Sequence, residues 1–325
     1  MPFADGRSMT LYFESAGSGP PVLLVSGQGM TRSDWWRTVP VLARRFRVLC
    51  FDNRDTGRSK HSAWPYTVAQ MADDAIAVLN AAGEERAHVY GMSLGGMVAQ
   101  EIALRHADRV AALVLGSTTP GGLQAVLPDP HMLTFFVRVG WMGAEEAEWA
   151  AVAYKYGEAT RRERQHLIAE DIAHRDGFPA DALAYLHQMG AASSYNPMWR
   201  LREIGAPTLV VHGDEDAVVP PVNARRLAEA IPNSELMIWP GAGHLYATDE
   251  PRADREILRF LLRHPEALGQ PAQESADYLP SVESIAALSA GPPRAAVTAS
   301  GGDAVGHRSA SGLPRVAMPA AMRGI

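Results

Sequence analysis

The chain is poor in cysteine, in lysine and in long apolar runs, and each shortage excludes something. Cys50 is its only cysteine, so no disulfide can form within the chain. It lies in the apolar run Phe46-Arg47-Val48-Leu49-Cys50-Phe51, where a small buried hydrophobe is the expected role rather than a reactive thiol. Lysine occurs only at positions 60 and 155, and 30 basic against 36 acidic residues leave a net charge of −6. A general nucleic-acid binder needs a basic stripe, so no nucleic-acid partner is expected. No apolar run approaches the roughly 18 residues of a membrane span. The start, Met1-Pro2-Phe3-Ala4-Asp5, lacks the basic residues and apolar stretch of a signal peptide. The expectation is a cytoplasmic protein with no membrane partner. No His-Glu-x-x-His, clustered Cys/His spacing or phosphate-binding glycine loop asks for a metal or nucleotide, so no cofactor is expected.

What the 325 residues do contain is 47% hydrophobic side chains, enough for a large core. Short apolar runs at 21–25, 48–51, 87–90, 110–115, 207–213 and 235–239 read as strands. Helical spacing joins Val68, Met71, Ala72, Ala75, Ile76 and Leu79, with Gly83 as the stop. Leu94 to Arg105 and Ala224 to Ile231 also read as helices, and Pro251 suits the first turn of a last one ending near Arg263. Strands alternating with helices predict an α/β fold with a mostly parallel central sheet flanked by helices. Residues 1–117 and 204–264 form the expected core. Residues 118–203 show no strand pattern and many aromatics, and read as a helical insertion. Residues 265–325, rich in Ala, Gly, Pro and Ser, read as a largely disordered tail, with Val282 to Leu288 the one candidate helix in it.

The chemistry concentrates in three loops. Gly91-Met92-Ser93-Leu94-Gly95 is a G-x-S-x-G motif between an apolar run and a helical one, the strand–turn–helix setting of a nucleophile elbow. A serine hydroxyl needs a base. His244, in Gly241-Ala242-Gly243-His244 after the last strand, is the candidate. Its carboxylate partner is Asp214, Glu215 or Asp216, between which spacing alone does not choose; His212 is the rival histidine. Backbone N–H donors for an oxyanion are assigned to Gln28, in Ser26-Gly27-Gln28-Gly29-Met30, and to Met92 in the elbow. Trp35, Phe135 and Trp141 are the expected substrate-facing aromatics, pointing to an apolar or ring-bearing small molecule.

With these motifs the chain resembles an α/β-hydrolase-fold serine hydrolase over about residues 10–264. Glu85 to Met97 is similar to the elbow of 3-oxoadipate enol-lactonases and related esterases. Asp52-Asn53-Arg54-Asp55-Thr56-Gly57-Arg58-Ser59 resembles the D-x-R-x-x-G-x-S loop of that superfamily and of aclacinomycin-type methyl esterases. The resemblance implies that the acid precedes a proline by four residues, which selects Asp216 before Pro220. It also implies that 118–203 is a lid after strand six, and that the substrate is a carboxylic ester or lactone. Ser26 stands where many members carry histidine. Serine at 93 speaks against haloalkane dehalogenases and epoxide hydrolases, which use aspartate there. Three alternatives stay open: a cofactor-free haloperoxidase or perhydrolase, a C–C hydrolase, or a ligand receptor on the same scaffold.

Overall fold

Strands that are apolar along their whole length need cover on both faces, and this requirement sets the architecture. The computed structural model describes residues 3–6, 9–139, 141–175 and 182–265. Its strands are β1 (Phe3–Asp5), β2 (Thr10–Ala16), β3 (Pro21–Val25), β4 (Arg47–Phe51), β5 (Ala87–Met92), β6 (Val110–Gly116), β7 (Thr208–Gly213) and β8 (Ser234–Trp239). Every residue of β3, β5, β6 and β7 is buried. They form one eight-stranded sheet in the order β1-β2-β4-β3-β5-β6-β7-β8. Pairings from β4 to β8 are parallel; β2 runs antiparallel to both β1 and β4.

The helices are α1 (Thr38–Leu42), α2 (Val68–Ala82), α3 (Leu94–Arg105), α4 (Pro130–Val139), α5 (Ala144–Lys155), α6 (Glu158–Glu163), α7 (Gln165–His174), α8 (Ala182–Ser194), α9 (Val222–Ala230), α10 (Tyr246–Asp249) and α11 (Ala253–Leu262). Alternate strand residues point to opposite faces. Leu23 and Val25 of β3 accordingly pack with Met71, Val98 and Leu227 of α2, α3 and α9. Val22 and Leu24 pack with Leu42, Ile257 and Phe260 of α1 and α11. The helices α4 to α8 all fall between β6 and β7. Among the described residues no helix is long and apolar enough to cross a membrane.

The elements differ from the expected ones mainly at the ends. β1 and β2 are additional, and β2 has only a short run of buried residues, Leu11–Phe13, to signal it. β5 runs on through Gly91 and Met92 to the elbow. α2 begins at a Thr67–Gln70 capping box and ends at Gly83 with φ 77°, in the left-handed region that glycine enters without a Cβ penalty. α11 begins two residues beyond Pro251, because the Ala253 N–H first closes a turn onto Glu250 O. From residue 266 the expected tail, with its candidate helix at 282–288, lies outside the described residues.

One buried acid ties α1 to α11. Asp254 is 4% exposed, and the Thr38 hydroxyl lies 3.1 Å from both its oxygens. Burial pushes its carboxyl up to about 6, against the opposing pull of the Thr38 hydrogen bond and the Arg37 charge. Between the usual carboxylate range and about 6 the folded chain keeps a proton that the unfolded chain has released. Stability from this group is therefore present at low pH and lost as the pH rises through that window. Asp254→Asn, neutral at every pH, is expected to be more stable than wild type by roughly 1–3 kcal/mol at pH 8, with the gap shrinking toward pH 4. Urea melts at both pH values check this; a gap independent of pH overturns it.

Candidate active site

Parallel strands bring the loops after β3, β5, β6, β7 and β8 to one edge of the sheet, where open α/β sheets place their sites. At the centre Ser93 turns the chain from β5 into α3 with φ 56° and ψ −121°, a left-handed backbone that a non-glycine residue adopts only when its surroundings enforce it. The enforcement is steric. A Cβ at Gly91 would overlap the Gly95 carbonyl oxygen, and one at Gly95 would overlap that of Val25. The Ser93 N–H donates to Gly116 O at 2.9 Å, and the Ser93 carbonyl accepts from the Gly96 N–H at 2.9 Å and the Thr118 hydroxyl at 2.7 Å.

The second centre is a buried carboxylate. Asp216 Oδ2 lies 2.8 Å from His244 Nδ1, and Oδ1 accepts the N–H groups of Val218 and Val219 at 2.9 and 2.8 Å. His212 Nε2 lies 3.0 Å from the same Oδ2 and 2.8 Å from Val219 O. Burial by itself would raise the Asp216 carboxyl. The charge of His244 and the hydrogen bonds from His212 and His244 outweigh it and hold the group well below the usual carboxylate range. His212 is wholly buried and serves the acid rather than a substrate. Asp214 and Glu215 are exposed and occupied elsewhere: Asp214 accepts the Gly241 N–H, Glu215 the Glu158 N–H, each at 2.6 Å.

Ser93 and His244 are joined through the end of β6, whose part the sequence reading missed. The Ser117 hydroxyl donates to His244 O at 2.9 Å, while neighbouring Gly116 and Thr118 hold Ser93. No hydrogen bond links the Ser93 hydroxyl to the His244 ring among the described residues; such bonds commonly tighten only with substrate bound. Asp249, also missed, accepts the Gly243 N–H at 2.7 Å and the Gly157 N–H at 2.9 Å, clipping the histidine loop to the inserted helices. The hydroxyl run at 117–119 and the acid pair 249–250 shortly after His244 were the only signals for these.

The oxyanion donors need one correction. Met92 precedes Ser93 and ends β5, paired with Gly116. The residue that follows Ser93 is Leu94, whose N–H opens α3 and has no acceptor earlier in that helix. Gln28 lies beside Ser93. It sits in a turn closed by the Met30 N–H on Gly27 O at 3.3 Å, and a Cβ on Gly27 would lie 3.2 Å from the Ser93 Cβ. The loop is braced from below, since Ser26 Oγ accepts from Trp35 Nε1 at 2.9 Å and Asn53 Nδ2 donates to Ser26 O at 2.9 Å.

The three expected substrate-facing aromatics stand in three different settings. Trp35 is 3% exposed, edge-on to Tyr90 at 4.8 Å, and braces the loop while lining a cavity with Met30, Met92 and Leu245. Trp141 is 76% exposed and turned to solvent. Phe135, half-buried, packs on Tyr154 of α5 with ring centroids 5.0 Å apart. Aromatic content alone cannot separate a binding surface from packing, because both bury rings.

Residues 20–146 match the family model described as alpha/beta hydrolase fold, and 188–267 the one described as TAP-like protein. A relative from Azorhizobium caulinodans, described as "Putative carbamate hydrolase RutD", is 31% identical over 266 residues, covering 79% of this chain and 97% of that protein. Among solved structures, a thermophilic esterase from Thermogutta terrifontis is 28% identical with a TM-score of 0.69, over 82% of this chain and 98% of that one. The enol-lactonase from Burkholderia xenovorans LB400, 24% identical with a TM-score of 0.72, covers 80% of this chain and 100% of that one, and shows likeness of fold.

The geometry separates the three acids by experiment. Asp216→Asn keeps an oxygen for the Val218 and Val219 amides but removes the charge facing His244. Its kcat on an aryl ester is expected to fall by roughly 10³–10⁴-fold, whereas Asp214→Asn and Glu215→Gln stay within about tenfold of wild type. A larger loss for Asp214→Asn than for Asp216→Asn overturns the assignment.

Proposed function

The chain belongs to the α/β-hydrolase fold family, and from that premise we propose that it is a serine hydrolase cleaving a carboxylic ester or lactone of a small apolar or ring-bearing molecule. The observation that carries this reading is the buried Asp216–His244 pair at 2.8 Å on the same sheet edge as the strained Ser93 elbow. A carboxylate on Nδ1 orients the imidazole and stabilises its charged form, leaving Nε2 to act as base.

In the mechanism that follows, Nε2 of His244 takes the Ser93 proton as Oγ attacks the carbonyl carbon. The oxyanion receives the N–H groups of Leu94 and Gln28, with the N-terminus of α3 adding its partial positive charge. His244 then donates the proton to the departing alkoxide, leaving an acyl ester on Ser93. A water gives its proton to His244 as it attacks that ester, and collapse returns the proton to Ser93 and releases the acid. No step asks for a metal or cofactor. In this reading the helices between β6 and β7 form the cap over the acyl pocket.

A second reading is hydrolysis of a carbamate, favoured by the name of the relatives at 31% identity. The same acyl transfer would serve, with nitrogen in the leaving or the acyl part.

Methyl esters, aryl esters, lactones and a simple carbamate, each in large excess over enzyme, separate these. The expected result is multiple turnover of at least one ester or lactone, reduced about 10³-fold or more in Ser93→Ala. Undiminished turnover in Ser93→Ala sinks the serine mechanism, and a carbamate cleaved faster than every ester replaces the first reading by the second.

A further inference from the structure

Gln188 is completely buried, and a buried amide costs stability unless both its ends are hydrogen-bonded. It stands on α8, among the inserted helices, and each end of its amide reaches a different loop of the sheet edge. Oε1 accepts the Gly29 N–H at 2.7 Å, and Nε2 donates to Arg54 O at 3.3 Å. The contact is reciprocal, because Gln28 Nε2 donates to Tyr185 O on the preceding turn of α8 at 3.2 Å. The Tyr185 ring closes over the same spot, 3.4 Å from where a Cβ on Gly29 would be.

These bonds converge on one peptide. Gly29 has φ 67°, and within the loop the Gln28–Gly29 turn is closed by the long Met30–Gly27 bond at 3.3 Å and, at its base, by the Ser26 hydroxyl on Thr31 O at 3.0 Å. The Gln28 N–H itself makes no hydrogen bond within the described residues. Its direction is set by its neighbours: the Gln28 side chain and the next N–H are both held by α8. Donors for an oxyanion act only when aimed in advance, and displacement by about 1 Å at a reacting centre can lower the rate about 10²-fold.

We propose that Gln188 is a positioning residue for the oxyanion loop: by holding the Gly29 N–H it aims the Gln28 N–H at the Ser93 reaction centre. The inserted helices then complete the catalytic site as well as covering it. The inference rests on the serine-hydrolase reading for its effect on rate, but the clasp itself is measurable without turnover.

The test compares Gln188→Leu, which removes both bonds, with Gln188→Glu, which keeps an acceptor for the Gly29 N–H. In Gln188→Leu, kcat for p-nitrophenyl acetate is expected to fall about 10- to 100-fold with KM within about twofold. Hydrogen–deuterium exchange should quicken in the peptide spanning residues 26–31. Gln188→Glu is expected to regain most of kcat and most of the protection. Unchanged kcat with unchanged exchange overturns the proposal, and so does a loss that Gln188→Glu fails to restore. If Gln188→Leu does not fold, Gln188→Met decides, since it is nearer glutamine in shape and lacks the amide: faster exchange at 26–31 with lower kcat supports the clasp, and no change in either overturns it. Wild-type protein that turns over no ester, lactone or carbamate would sink the hydrolase reading, while the exchange data still decide whether the clasp exists.

Discussion

Ser93 is held in a backbone conformation that an isolated serine peptide would avoid, and the sheet edge is organised around keeping it there. Gly91 and Gly95 leave space that any side chain would fill with a clash. Gly116 and Thr118 then fasten the serine backbone from the neighbouring strand. The strain is local, of the order of 1–3 kcal/mol, and the fully buried strands β5 and β6 on either side of the contact supply the rigidity that sustains it.

Two equally buried aspartates show that neighbours decide whether burial raises an acid's pKa or is overcome. Asp216 and Asp254 are each 4% exposed. Asp216 receives two backbone N–H groups and faces two histidines, and stays ionised. Asp254 has one hydroxyl within reach, and its carboxyl rises to about 6. The first environment suits a group that must stabilise an imidazolium. The second joins two helices beneath the sheet, where a proton can substitute for a partner.

The inserted helices are stitched to the loops they cover. Lys155 O accepts the Leu245 N–H beside His244, Gly157 binds Asp249, and Glu158 binds Glu215 of the acid loop. At the other end α8 grips the loop of Gln28 and Gly29. Contacts of this kind make the insertion part of the frame that holds the reacting groups, since backbone hydrogen bonds to catalytic loops fix distances that side-chain packing alone leaves soft.

By itself the sequence determined the apolar strands, the glycine-flanked serine, the histidine after the last strand and the helical character of the insertion. These are local properties: a strand is legible from its own alternation or continuity, and the elbow from residues two positions away. Spacing left three consecutive acids open and only the resemblance pointed to Asp216; the physical reason lies in the tertiary structure, where the loop 214–219 turns Asp216 inward onto the Val218 and Val219 amides while Asp214 and Glu215 go outward. Tertiary structure alone decided that Trp35 belongs to the core and Trp141 to solvent, and that Ser117, Asp249 and Gln188 serve the site from distant elements. Those roles depend on contacts between segments up to 159 residues apart, and no short-range pattern in the chain encodes a contact of that span.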